Sequence, residues 1–194
     1  LDAIFALHNW PGLPEGEFAV HSGPVMASSN EFHVRIQGKG AHAAMPDLGI
    51  DPISVAAHLI TAYQTIISRN RRPVDPGVLS VTQISAGEAI NVIPDFAKLS
   101  GTVRTFSLET LDLIEQRLKE MTLQISEAFG ASAEIDFIRS YPPTINNVEM
   151  ANLCSEILSA LPGVKKVHGN LPPTMGAEDF AFFLQKVPGA YLWI

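Results

Sequence analysis

A chain of 194 residues that is 46% hydrophobic has enough apolar material for one large or two small packed domains. Thirteen Lys+Arg against twenty Asp+Glu leave a formal charge of −7, which argues against a nucleic-acid-binding surface. No apolar run reaches the roughly 18 residues of a membrane span, and the single cysteine, Cys154, rules out an internal disulfide.

In chain order, residues 1–7 form a strand-like apolar run with no leading Met and no leader-peptide pattern. Residues 190–194 close the chain in a similar run, so the expectation is an internal segment of a longer protein. His8 ends the first run and precedes a loop stiffened by Pro11 and Pro14. Residues 31–37 then alternate, with Phe32, Val34 and Ile36 on one face and His33, Arg35 and Gln37 on the other, which predicts a half-buried strand. That strand runs into Gly38-Lys39-Gly40-Ala41-His42-Ala43-Ala44-Met45-Pro46, whose glycines allow close backbone approach and leave an imidazole at the loop tip.

Asp51 as N-cap and Pro52 at the first helical position predict a helix over 52–69, with Ile53, Ala56, Ala57, Ile60, Tyr63 and Ile67 at helical spacing. Pro73 and Pro76 follow it. Residues 78–85 and 96–106 alternate as strands. Ser107 predicts the start of a second helix that ends at Gly130, with Glu109 and Asp112 near its positive end. Leu108, Leu111, Ile114, Leu118, Met121, Ile125 and Phe129 give it one apolar stripe. A last alternating segment covers 133–139.

The order β-α-β-β-α-β predicts an α+β ferredoxin-like unit over 23–141, with both helices on one side of a four-stranded sheet. Such a sheet leaves a face or an edge free for interaction. Beyond it, a helix over 148–161 should turn Leu153, Cys154, Ile157, Leu158 and Leu161 inward, leaving Cys154 as a buried, inert thiol. A short strand over 164–168, a loop with 176–180, a short helix and a final strand complete the pattern. The fold class expected is therefore a partial α/β main domain, 1–22 with 142–194, into which the ferredoxin-like unit 23–141 is inserted.

Several side chains could carry chemistry. His8 at a strand's carboxyl end suits a metal site, although a structural or solvated histidine fits the same pattern. His42 could donate to a ligand oxygen or simply occupy a turn. Asn91, in Gly87-Glu88-Ala89-Ile90-Asn91-Val92-Ile93-Pro94, sits on a tight loop either as a directed amide or as a turn former. Arg104 could clamp a carboxylate or lie exposed on its strand. Gly176 could admit a substrate to the backbone, while Glu178 and Asp179 could cap a helix or face a ligand; adjacent carboxylates on a helix should point apart. Gly38-Lys39-Gly40 lacks the spacing of a phosphate loop. His21, His33, His58 and His168 have no supporting pattern and are expected in surface or packing roles.

Five segments, in order, give the sequence a likeness: Ala6-Leu7-His8-Asn9-Trp10-Pro11-Gly12-Leu13-Pro14, the 38–46 loop, the 87–94 loop, Gly101-Thr102-Val103-Arg104-Thr105-Phe106, and Met175-Gly176-Ala177-Glu178-Asp179-Phe180. The chain resembles the M20 family of metallopeptidases and amidohydrolases, in particular its hippurate hydrolase and N-acyl-amino-acid amidohydrolase branch. The resemblance implies a metal-binding α/β catalytic domain and an inserted lid that carries the contact of a homodimer, here 23–141. It implies two divalent ions per complete subunit, zinc or manganese, with His8 as a metal ligand. It implies that His42 reaches across the dimer to the scissile carbonyl oxygen, where a donor to growing charge is worth roughly 3–4 kcal/mol. Asn91 and Arg104 would hold the carboxylate end of a small N-acyl or N-aroyl amino acid, or of a short peptide, with Gly176 and Glu178 on the substrate side.

The family's His/Cys-Gly-His-Asp segment, its Glu-Glu pair with the general base, and a further histidine do not occur in these 194 residues. Only one expected metal ligand is therefore present. The expectation is a parent hydrolase, cytoplasmic, without nucleic-acid or membrane partners, represented here by a catalytically incomplete chain. The alternative is a non-catalytic dimerisation or ligand-binding module with a ferredoxin-like core.

Overall fold

The structure is a computed structural model that describes residues 1–194. Its first strands are β1 (Ile4–His8), β2 (Glu17–Ala19), β3 (Gly23–Met26), β4 (Ser29–Gln37) and the two-residue β5 (Ala41–His42). Helix α1 (Pro52–Thr65) leads to β6 (Gly77–Ala86), β7 (Val92–Ile93) and β8 (Phe96–Thr105). Helix α2 (Leu108–Ala128), β9 (Ser132–Tyr141), β10 (Thr144–Asn146) and helix α3 (Val148–Ala160) follow. The chain closes with β11 (Lys166–His168), helix α4 (Ala181–Leu184) and β12 (Gly189–Trp193). None of the helices is long and apolar enough to cross a membrane.

Two units form. One comprises Leu1–Ser29, Thr105–Ser107 and Tyr141–Ile194; the other comprises Asn30–Arg104 and Leu108–Ser140. The inserted unit thus begins at Asn30 rather than at residue 23. The reason is pairing: β3 lies antiparallel to β10, with Pro24 opposite Ile145, so residues 23–26 belong with the flanking segments.

In the inserted unit the sheet order is β6-β8-β4-β9. Antiparallel β4 and β8 place Phe32 opposite Gly101 and Gln37 opposite Phe96. The expected alternation holds along β4, where Phe32, Val34 and Ile36 are buried and Glu31, His33, Arg35 and Gln37 are exposed. Residues from both helices, among them Leu59 and Tyr63 of α1 and Ile114 and Leu118 of α2, join Phe32, Val34, Ile36, Leu99 and Val103 in one core. Both helices therefore cover the same face. The other face is polar, and there the Arg35 guanidinium lies over the Phe96 ring, 4.1 Å from its centroid.

Local signals set the helix ends. The Asp51 carboxylate accepts from the Ile53 N–H at 2.9 Å and caps α1. The α-helical turns end at Thr65, and the chain widens to a π turn over Ile66–Asn70, one residue past the expected end at 69. Gly130 follows α2 with φ +77, a left-handed conformation that favours glycine. The buried line of α2 departs from the expected stripe: Leu108 and Phe129 are exposed, while Thr122 and Ser126 are buried. Thr122 is there for a partner. Its hydroxyl donates to the Leu118 carbonyl at 2.6 Å and accepts the Tyr63 hydroxyl at 2.5 Å, so a polar pair inside the core is satisfied. Burial pushes the Tyr63 phenol up to about 12, against a smaller lowering by Thr122.

Gly101 shows how tight this core is. A Cβ there would lie 2.2 Å from the Ser80 carbonyl oxygen and 2.4 Å from Cζ of Phe32. Gly101→Ala is expected to destabilise the unit by about 2–3 kcal/mol, read as a lower urea midpoint at unchanged slope. An unchanged midpoint would show that β6, β8 and Phe32 can separate freely.

In the flanking unit the sheet order is β1-β12-β2-β11. β1 and β12 are parallel, with His8 opposite Trp193, and β2 and β11 are parallel. Ala19, Phe180, Tyr191 and Trp193 form one core cluster, and Val20, Ala151, Ala190 and Leu192 form another. Asn147 caps α3, its side-chain oxygen accepting from the Met150 N–H at 3.1 Å. This helix corrects the sequence expectation. Its inward line is Met150, Ala151, Cys154 and Leu158, packed on the second cluster, whereas Leu153, Ile157 and Leu161 are exposed. A helix touching one sheet buries a single seam, and these three residues fall beside it. Cys154 is half-buried, and burial pushes its thiol up, in keeping with an unreactive group.

Candidate functional site

The expected site residues fall into two sets, each internal to one unit. In the flanking unit His8 ends β1. Its Nδ1 lies 2.6 Å from the Asn9 carbonyl oxygen. A carbonyl can only accept, so Nδ1 carries a proton, and in the neutral ring Nε2 keeps a free lone pair. Trp10 and Tyr191 flank the ring, with centroids 6.0 and 6.2 Å away.

Glu178 precedes α4 and is anchored at both oxygens. The Tyr191 hydroxyl donates to Oε2 at 2.6 Å, and the Phe180 N–H reaches Oε1 at 3.4 Å. Burial acts to raise the Glu178 pKa. It is outweighed by the hydrogen bonds from Tyr191, Asp179 and Phe180 and, only when the His8 ring is protonated, by its charge, so the group sits below the usual carboxylate range. Asp179 is raised, first by its hydrogen bond to Glu178, then by desolvation and by repulsion from that charge. Tyr191 is also pushed up, by burial and then by its bond to an anion.

The two carboxyl groups therefore influence each other's protonation, where side chains pointing apart were expected. They lie ahead of α4, whose first residue is Ala181, so helical geometry does not separate them. No side chain caps that helix in the usual way. Gly176 is exposed, and its N–H donates to the Thr174 hydroxyl at 3.2 Å. A Cβ at Gly176 would approach only the flexible end of Met26, at 3.2 Å, so space alone does not demand glycine there.

No group of three or more His, Cys, Asp or Glu side chains is arranged to hold an ion. What is present is one imidazole lone pair with an ionised carboxylate in electrostatic reach. That donor set fits part of a nitrogen–oxygen metal shell and cannot close one.

The second set lies in the inserted unit. β5 pairs antiparallel with β7, placing His42 opposite Val92. The Ala43 N–H donates to the Asn91 carbonyl at 2.9 Å, so the 38–46 and 87–94 loops are joined and His42 and Asn91 are neighbours. The Ala44 N–H donates to Nδ1 of His42 at 3.1 Å. Here Nδ1 must offer its lone pair, and the neutral ring carries its proton on Nε2. An open cavity of about 380 Å³, lined by Gly40, Ala41, Val92, Ile93, Asp95 and Phe96, adjoins this pair of loops.

Arg104 is not with them. It is half-buried on the polar face of β8, eight residues beyond Phe96, the residue paired with Gln37 just before the 38–46 loop. At about 3.3 Å per residue the strand separates Arg104 from the loop end of the sheet by roughly 26 Å. The grouping of Arg104 with Asn91 and His42 therefore fails within one chain.

Sequence reasoning passed over Tyr191 and Asp95. Tyr191 reads as one more apolar residue of a final strand, and nothing local links it to Glu178. Asp95 follows Pro94 and looks like an ordinary turn acid. Among the other histidines, His168 is more than surface: its Nε2 lies 2.6 Å from Glu17 Oε2, bridging β11 and β2.

The family model described as the peptidase dimerisation domain matches residues 27–128. The N-acetylcysteine deacetylase of Bacillus subtilis (strain 168) is 39% identical over 194 residues, which is 100% of this chain and 50% of that protein. Thermostable carboxypeptidase 1 of Saccharolobus solfataricus is 34% identical, again over 100% of this chain and 49% of that protein. The crystal structure of the Bacillus subtilis YXEP protein, described as a dinuclear metal binding peptidase from the M20 family, matches with a TM-score of 0.80 at 35% identity, over 100% of this chain and 48% of that one. The chain spans about half the length of the curated relatives it matches. With its dimerisation-domain segment matched and the whole of its own length aligned to relatives, the chain belongs to the M20 peptidase family.

Proposed function

We propose that the full-length protein is a metal-dependent hydrolase that cleaves the amide bond of small N-acyl or N-aroyl amino acids, hippurate-like molecules among them, or of short peptides. The observation that carries this reading is the opposite tautomers of its two motif histidines. His8 presents a lone pair at Nε2, as a ligand must, and His42 presents an N–H at Nε2, as a donor to a carbonyl oxygen must. Both names among the relatives, a deacetylase and a carboxypeptidase, describe amide cleavage beside an amino acid.

Residues 1–29 and 141–194 are assigned to the catalytic α/β domain, with His8 as its ligand from this chain. A pair of divalent ions, zinc or manganese by the nature of nitrogen and carboxylate donors, would supply activation of water. The likeness to a dinuclear relative supports the number two. The ionised Glu178 and the adjacent Gly176 would flank the substrate. The inserted unit is assigned as a ferredoxin-like lid, supported by a four-stranded sheet whose first and third strands in chain order, β4 and β8, lie at the centre.

The length of β8 favours a site shared between two copies of the chain. A small substrate can meet both Arg104 and a His42 only if these come from different subunits. In this reading His42 of the partner subunit donates to the scissile carbonyl oxygen, Asn91 of the partner subunit supports it, and Arg104 holds the substrate's carboxylate. Sedimentation should show a homodimer formed through the lid. Mixing His42→Ala subunits with subunits inactivated at their general base should restore activity, because one intact shared site re-forms in each hybrid. Hybrids that stay dead after confirmed subunit exchange would remove the role across the interface.

A further inference from the structure

We propose that Asp95 is the positioning residue for His42, a role that rests on the reading of His42 as the carbonyl donor. His42 is exposed, and the Ala44 N–H is the only hydrogen-bond partner of its ring, so its place depends on the backbone that carries it. That backbone leaves the sheet at Gly38, immediately after Gln37 pairs with Phe96. Asp95 stands at this exit. Its carbonyl accepts from the Gly38 N–H at 2.8 Å and from the Gln37 side-chain amide at 2.9 Å. Its carboxylate Oδ1 accepts from the Gly40 N–H at 2.8 Å, two residues before His42.

A bond from a backbone N–H to a carboxylate is charge-assisted and stronger than one between neutral groups. The contact also explains the glycine. A Cβ on Gly40 would lie 2.9 Å from that oxygen and 3.2 Å from the Ile93 carbonyl. On the loop's other side, Lys39 and Ile50 exchange two backbone hydrogen bonds of 2.9 Å. The loop is thus clamped from both sides. The Asp95 carboxylate is the part of the clamp that a substitution can remove while leaving the backbone bonds in place.

The test uses the full-length, metal-loaded enzyme with N-acetylcysteine and hippurate as substrates. Asp95→Ala should lower kcat roughly 10- to 100-fold with KM within about threefold, since misplacing a reacting group costs rate more than binding. Asp95→Asn keeps an acceptor oxygen and should recover most of the loss. In a His42→Ala background Asp95→Ala should add almost nothing, because the two act as a unit. Multiplying effects, or an Asn variant as poor as the Ala variant, would overturn the assignment. If Asp95→Ala does not fold, Gly40→Ala serves in its place: it keeps the carboxylate but pushes it off the loop, and the same kcat loss is expected. Full kcat in Gly40→Ala would count against the clamp.

A second readout does not depend on activity. In enzyme labelled with 15N-histidine, the His42 ring nitrogens should report the Nε2–H form in the parent and a mixture of forms in Asp95→Ala. An unchanged tautomer overturns the proposal. A shifted tautomer together with full kcat in His42→Ala would leave the positioning intact and sink the reading of His42 as the donor.

Discussion

His42→Ala in the full-length enzyme should lower kcat by roughly 10²–10³-fold with a much smaller change in KM. A donor aimed at an oxygen that gains charge in the tetrahedral state contributes roughly 3–4 kcal/mol there and little in the ground state. The Ala44 N–H fills Nδ1, so the ring has one N–H to offer and it is Nε2–H. Arg104→Ala should behave differently. A guanidinium holding a carboxylate is bound alike in ground and transition states, so its loss should raise KM. Steady-state kinetics on both variants separates the roles. Full kcat in His42→Ala would reduce the loop to a turn.

His8→Ala should cost the full-length protein at least one of about two divalent ions per chain, with a large drop in metal affinity and activity. The carbonyl of Asn9 holds the proton on Nδ1 and leaves Nε2 as the ligand atom, the arrangement in which a histidine binds metal best. Metal analysis after equilibrium dialysis measures the loss directly. The 194-residue chain alone should bind these ions weakly or not at all, because it gathers no group of three ligating side chains. Unchanged metal content and unchanged activity in His8→Ala would remove the residue from the site.

The features that could be read from the sequence are those set by neighbours along the chain. Alternation in Phe32, Val34 and Ile36 specified a buried face, because side chains of a strand point to opposite sides in turn. Asp51 with Pro52 marked where α1 begins, and Gly130 marked where α2 ends, because orphan backbone groups and a left-handed turn need those residue types. The glycines around His42 were legible as a close-packed loop for the same local reason. Tertiary structure alone decided what meets across long separations in sequence. It drew residues 23–26 away from the inserted unit through β10, left Leu153, Ile157 and Leu161 of α3 exposed beside a single buried seam, and put a Tyr63–Thr122 pair inside the core. It joined Glu178 to Tyr191, set the two histidine tautomers through backbone partners, brought Asp95 against Gly40, and held Arg104 a full strand length from His42. Periodicity and capping act within a few residues, whereas hydrogen-bond partners and protonation states depend on which distant atoms packing delivers.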